Sequence, residues 1–255
     1  MEAEHGSWLN WVYHVEIAGH RLDRELFPPH VPMAVFVALA LCLIGYLGTR
    51  KRRRIPSGLQ NALEMVVEGL ERLLATQLGP HSARYVPFLI TLFMFILFMN
   101  LAGLVPGFIS PTANLNTTLA LAVVVFLTVQ FYGISANGLW GYIKHFAGDV
   151  KGMPLVFALP VIALLFPLHI IEELVKPVSL SVRLFGNIFG EDMVIAQFNQ
   201  MAEGLPTLFG IPIPVALPMT ALAIFTSFVQ ALVFTLLSAV YLSLFEPHET
   251  AETST

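Results

Sequence analysis

Charge is what this sequence has least of: 12% of its 255 residues are acidic or basic, against about 25% in ordinary soluble domains. With 56% hydrophobic residues and a mean hydropathy of +0.74, that scarcity excludes a water-soluble chain with a single core. The net charge of -4 leaves no basic excess, and the 13 Lys and Arg gather in a few places rather than along a face, which excludes a nucleic-acid partner. The one cysteine, Cys42, sits inside an apolar run, so there is no disulfide framework and no cysteine metal site. There is no GxxxxGK[ST] phosphate loop, so no nucleotide chemistry is expected of the chain itself. His169-Ile-Ile-Glu172-Glu173 is neither HExxH nor HxxEH, and the remaining histidines lack metal-ligand spacing. No catalytic residue, metal or cofactor is therefore expected. No internal repeat stands out.

What the chain has instead is a series of apolar runs long enough to cross a bilayer. Residues 1–30 carry Glu2, Glu4, Glu16, Asp23 and Glu25 and lack the basic start and apolar stretch of a cleaved signal, so they read as an N-terminal extramembrane segment. Residues 31–49 form span 1, which ends in Arg50, Lys51, Arg52, Arg53 and Arg54, a cytoplasmic topology signal. Over 57–78, Leu59, Leu63, Val66, Val67, Leu70, Leu74 and Leu78 recur at helical spacing. That is an amphipathic helix lying at the interface or against a partner, and periodicity does not separate the two. Residues 87–109 and 118–143 are spans 2 and 3. Residues 155–198 and 206–245 are two further elements, each longer than one straight span, which points to tilted or broken helices. Residues 247–255 are a C-terminal tail. Seven Lys and Arg fall within 50–84 and two within 144–151, against Arg21 and Arg24 near the start. Five crossings put the larger group on one side, with the N-terminus outside and the tail in the cytoplasm. The fold class is thus an all-α integral membrane protein of five crossings plus an interfacial amphipathic helix.

The fourth element is otherwise apolar yet holds Glu172, Glu173, Lys176, Arg183, Glu191 and Asp192. An arginine at mid-membrane costs about 2.5 to 3.5 kcal/mol on insertion scales, so it persists only where it faces protein or water. With Arg183 at zero on a helical wheel, Glu172, Lys176, Asn187 and Glu191 fall at about -20°, +20°, +40° and +80°. They make one polar stripe, with Ser179 and His169 at its edge, Glu173 at the margin and Asp192 pointing away. Glu172 to Asp192 covers about 30 Å, with Arg183 midway. Carboxylates in a partly dry site pass protons, whereas arginine keeps its proton and acts as a fixed barrier. The pattern suits two aqueous paths separated by a cation. The bland alternative is a structural ion pair between Arg183 and Glu191 or Asp192.

Lys176 to Asp192 reads KPVSLSVRLFGNIFGED and resembles the signature of subunit a of the F-type ATP synthase, of bacterial or chloroplast type. Phe98 to Gly107 (FMNLAGLVPG), Pro111 to Thr118 (PTANLNTT) and Val229 to Tyr241 (VQALVFTLLSAVY) resemble other parts of the same family, so the likeness covers most of 31–246. The resemblance implies a stationary ion-channel subunit whose last two long helices form a hairpin against a ring of c subunits. It also implies peripheral-stalk b-type subunits and the rest of the synthase as partners, and an energy-coupling membrane, bacterial or thylakoid, as location. Carried onto this chain, Arg183 matches the stator arginine and Asn187 the polar residue one turn on. Asp192 matches the acid of the outer half-channel, with Glu191 its neighbour. Glu172 and Glu173 resemble the acids placed toward the inner half-channel, and Gln230 the glutamine of the last helix near the arginine. His169, Lys176 and Asn100 are candidate channel-lining residues. Some bacterial relatives place a histidine seven residues before that glutamine, where this chain has Ala223, so Asp192 with Glu191 and water is expected to substitute. Gly186 and Gly190 form a GxxxG, read as a close approach of the last helix. A self-contained secondary transporter is the rival function, but it would show paired similar halves.

Overall fold

The computed structural model describes residues 16–17, 20–21, 28–50, 54–78, 82–105, 107–147, 155–203 and 217–244. Most of the N-terminal segment, Lys51 to Arg53, Lys151, the first part of the 206–245 element and the tail lie outside these residues. Among the described residues six helices make up the body: α1 (His30–Thr49), α2 (Leu59–Leu78), α3 (Ser82–Ala102), α4 (Leu115–Ala147), α5 (Leu155–Glu203) and α6 (Leu217–Ser243). A 3-10 turn at Pro111–Ala113 links α3 to α4, and two short strands, β1 (Glu16–Ile17) and β2 (His20–Arg21), pair antiparallel with Glu16 opposite Arg21. Among the described residues four stretches are long and apolar enough to cross a membrane: His30–Thr49, Arg84–Ala102, Leu115–Ala136 and Leu217–Ser243. The charge-bearing α5 is not one of them.

The core forms where two helices present continuous buried faces. On α3, Leu89, Leu92, Phe93, Ile96 and Met99 recur at three- and four-residue spacing and are buried, the stripe expected of a helix with one inward face. On α6 the buried face mixes small, polar and large residues, among them Ala223, Ser227, Gln230, Ala231, Phe234, Ser238 and Ala239. Small residues let the helices approach closely, which replaces the hydrophobic driving force that lipid does not supply. Phe93 meets Phe228 edge to face with centroids 5.7 Å apart. Packing is most extensive between α4 and α5 and between α3 and α6. By contrast α1 leaves Val35, Phe36, Leu39, Leu43 and Leu47 exposed, the aspect of a peripheral span.

The stripe on α2 divides. Leu70, Leu74 and Leu78 are buried, whereas Leu59, Val66 and Val67 stay exposed. The C-terminal half packs on its own chain, and the N-terminal half keeps an open apolar face.

Two helix ends differ from the apolar stretches because glycines decide them. The run 87–109 suggested a longer span, but α3 stops at Ala102 and the chain folds back at Gly103. A Cβ at Gly103 would lie 2.5 Å from Ser110 Cβ and 3.1 Å from its Cα, so only glycine admits the return. The run 118–143 is interrupted at Gly138, with φ 68° and ψ 164°, a conformation open almost only to glycine. A Cβ there would meet no neighbour within 4 Å, so backbone strain is the whole cost of substitution. Gly138→Ala is expected to destabilise the protein by about 1 to 3 kcal/mol, read as a lower midpoint in thermal denaturation of the detergent-purified protein; an unchanged midpoint would contradict it.

Candidate ion-path site

The charged element is one long helix. At 49 residues and 1.5 Å per residue, α5 is about 74 Å long, more than twice the roughly 30 Å of hydrocarbon, so it cannot stand upright as a single span. Pro160, Pro167 and Pro177 lie inside it, and each removes one backbone hydrogen bond without ending the helix.

Arg183 is exposed near the middle of α5. Among the described residues it makes no hydrogen bond or ion pair, so the internal pairing with Glu191 or Asp192 is not formed. Its face of the helix is open: Val175, Val182 and Met193 are more than half exposed, and a Cβ on Gly186 or Gly190 would meet nothing within 4 Å. This corrects the reading of the GxxxG as the seat of the last helix. Those glycines leave a smooth face beside the arginine, and α6 comes near it across the cleft that Gly190 borders with Met219, Leu222, Ala223 and Thr226, without close packing on either glycine.

The link from α5 to α6 is made one turn on. Asn187 Nδ2 donates to Gln230 Oε1 at 2.7 Å. Gln230 is buried, and its Nε2 and the Oγ of Ser227, one turn before it, are buried side-chain atoms with no hydrogen-bond partner among the described residues. Asn100 of α3 joins the same region, donating from Nδ2 to the Ser227 carbonyl at 3.3 Å. It accepts from Thr112 Oγ1 at 2.8 Å, and Thr112 in turn bonds Ser110 Oγ at 3.1 Å. A buried polar line thus runs from the 3-10 turn through α3 and α6 to α5. Burial of so many polar groups in an apolar body is costly unless they are paired or hydrated.

Further along α5, Glu191 and Asp192 are both half-buried. Glu191 lines a cleft of about 200 Å³ with Ala223 and Thr226 of α6 and Val194 of α5. The glutamate therefore borders the space beside Ala223, the position where some relatives carry a histidine. Asp192 is not among that lining.

At the other end the two acids part. Glu172 is exposed, whereas Glu173 is buried and forms an ion pair with Lys176. Gln130 Nε2 of α4 donates to Glu173 Oε2 at 3.3 Å, and Tyr142 OH donates to Gln130 Oε1. Lys176 Nζ sits 3.8 Å from Glu172 Oε1 and 5.4 Å from the centroid of the Tyr241 ring. His169 is half-buried and has a partner of its own. The two acids thus part as their wheel angles do: Glu172 faces out on the side of Arg183, and Glu173, at the margin of that stripe, faces the bundle. Gln130, Tyr142, Tyr241, Ser227 and Thr112 were not picked out from the sequence. A glutamine inside the apolar run 118–143 was the one available signal.

The ATP synthase A chain family model matches residues 31–243, which takes in nearly all of α1 to α6. The chain belongs to this family. Among its relatives, a protein of Protochlamydia amoebophila named ATP synthase subunit a is 42% identical over 245 residues, covering 94% of this chain and 84% of the relative. One from Pelobacter propionicus, ATP synthase subunit a 3, is 41% identical over 89% of this chain and 96% of its own length. The Moorella thermoacetica subunit a is 43% identical over 82% of this chain and 87% of its own length. Family membership agrees with the all-helical, multi-pass membrane architecture, and the matched region contains every residue of the site just described.

Proposed function

We propose that this chain is the stationary ion-conducting subunit of a rotary ATP synthase, with two aqueous half-channels separated by Arg183. The observation that carries this reading is a permanent cation on an open, apolar helix face, with no partner among the described residues. A guanidinium left there to lipid would be strongly unfavourable, so the face calls for a second protein that brings a carboxylate to it. A ring of c subunits, each with a membrane carboxylate, meets that requirement, and the bare Gly186 and Gly190 allow its helices to come close.

The mechanism follows from the cost of charge in lipid. A ring carboxylate must be neutral while it faces hydrocarbon and is better ionised opposite Arg183. Glu191 with Asp192, and the open polar valences of Ser227 and Gln230, belong to the outer half-channel. The exposed Glu172 opens the inner one. Arg183 blocks the direct route, so each proton must ride the ring. A membrane potential supplies about 2.3 kcal/mol per elementary charge per 100 mV, which the ring delivers to ATP chemistry on other subunits. Four apolar helices and a strongly tilted α5 make up five crossings, with the N-terminus outside and the tail in the cytoplasm of an energy-coupling membrane. Peripheral-stalk b-type subunits hold the chain still.

Solubilisation in mild detergent tests the assignment. The chain is expected to run in a large complex with a c-type ring. Ion transport by the purified chain alone, reconstituted into vesicles, would sink the stator reading in favour of a self-contained transporter.

A further inference from the structure

The proline-weakened turn of α5 at Pro177 is tied to its neighbours by several side chains. Pro177 has no N–H, so the carbonyl of Glu173, four residues back, lacks its helical donor. On that same turn the side chains of Glu173 and Lys176 form their ion pair, and neighbours brace it on several sides. Gln130 holds the carboxylate at 3.3 Å and is itself held by Tyr142. These two come from opposite sides of the break at Gly138, so a single carboxylate gathers both parts of α4. Through Lys176, lying over Tyr241, α6 is tied in as well. Glu173 is 9% exposed and the Lys176 side chain 13%. The cavity beside them measures about 10 Å³, room for about one water. The cluster is packed tightly and offers no file of water.

Arg183 lies two turns beyond Lys176 on nearly the same face. With no hydrogen bond or ion pair to another described residue, its bearing follows the helix. A bend of about 20° at a proline turn would move Arg183, about 9 Å further along the axis, sideways by roughly 3 Å. We propose that the Glu173–Lys176 pair is a positioning clamp, not a step on the ion path: it stiffens the proline-weakened turn so that Arg183 keeps its bearing toward the partner carboxylate. This rests on the stator reading above, and it separates the two neighbouring acids, Glu172 toward solvent and Glu173 toward structure.

The test compares Glu173→Gln, Lys176→Met and the double variant in the whole complex, in inverted membrane vesicles. ATP-driven pumping is normalised to ATP hydrolysis and to the amount of assembled complex. Each single variant breaks the buried pair, leaving Glu173 unpaired or Lys176 with only the exposed Glu172 at 3.8 Å, and is expected to lose about tenfold in pumping per ATP, while removing both charges is expected to restore it to within about threefold. A double variant as inactive as Glu173→Gln would mean that the carboxylate itself carries protons, and single variants at wild-type level would mean that nothing is clamped; either result overturns the proposal. If a single variant does not assemble, Gln130→Leu removes the brace and keeps the pair. It is expected to lower pumping per ATP about threefold, and an unchanged ratio overturns the clamp. Failure of the stator reading would appear elsewhere, as normal pumping by Arg183→Ala.

Discussion

Arg183→Ala is expected to abolish ATP-driven proton pumping while the complex still assembles. Among the described residues the arginine makes no hydrogen bond or ion pair, and its side chain is exposed, so its removal leaves no cavity and no orphaned partner among them. Assembly, followed by immunoblot of purified membranes, should be unchanged. On the stator reading proposed above, what is lost is the cation that ionises each passing ring carboxylate. Breaking a desolvated charge pair of this kind costs about 3 to 5 kcal/mol, which corresponds to a hundredfold or more in rate at about 1.4 kcal/mol per decade. The barrier between the half-channels disappears at the same time, so passive proton leak through the membrane sector should rise. Arg183→Lys keeps the charge but lacks the planar fork of donors, and is expected to recover the barrier better than the pumping. Dye-quenching traces from inverted vesicles report both quantities. Normal pumping by Arg183→Ala would remove the basis for the barrier role.

The second large effect is expected from the acids at the other end of the open face. Glu191→Gln with Asp192→Asn should lower potential-driven ATP synthesis about a hundredfold, the scale of losing a positioned proton-transfer group. Each single change should cost less, because its neighbour keeps a carboxylate in the same half-channel. Glu191 borders the cleft with Ala223 and Thr226, so Glu191→Gln is expected to respond to what is placed at Ala223. An imidazole introduced by Ala223→His has room in that cleft and titrates near neutrality. It should recover part of the activity of Glu191→Gln. Synthesis at the wild-type rate in the double acid variant would move the outer path away from these residues.

The long apolar runs, the density of charge within 172–192 and the spacing of the motif around Arg183 were enough to identify a multi-pass membrane helical chain and its family. These features depend on residue type and interval, which the sequence carries in full. Partners were another matter. A helical wheel reports the angle of Glu172 and Glu173 about one axis, but it cannot say which neighbour stands at that angle. The packing of α4 against α5 turned Glu173 inward onto Gln130, a residue 43 positions away in the chain. The spacing of Gly186 and Gly190 likewise promised a close approach, yet α6 is separated from Gly190 by a cleft and packs on neither glycine. The apolar stripe of α2 was plain from its period. Only the fold divided it, burying Leu70, Leu74 and Leu78 and leaving Leu59, Val66 and Val67 outside. Periodicity sets which residues share a face, and long-range packing alone sets what that face meets.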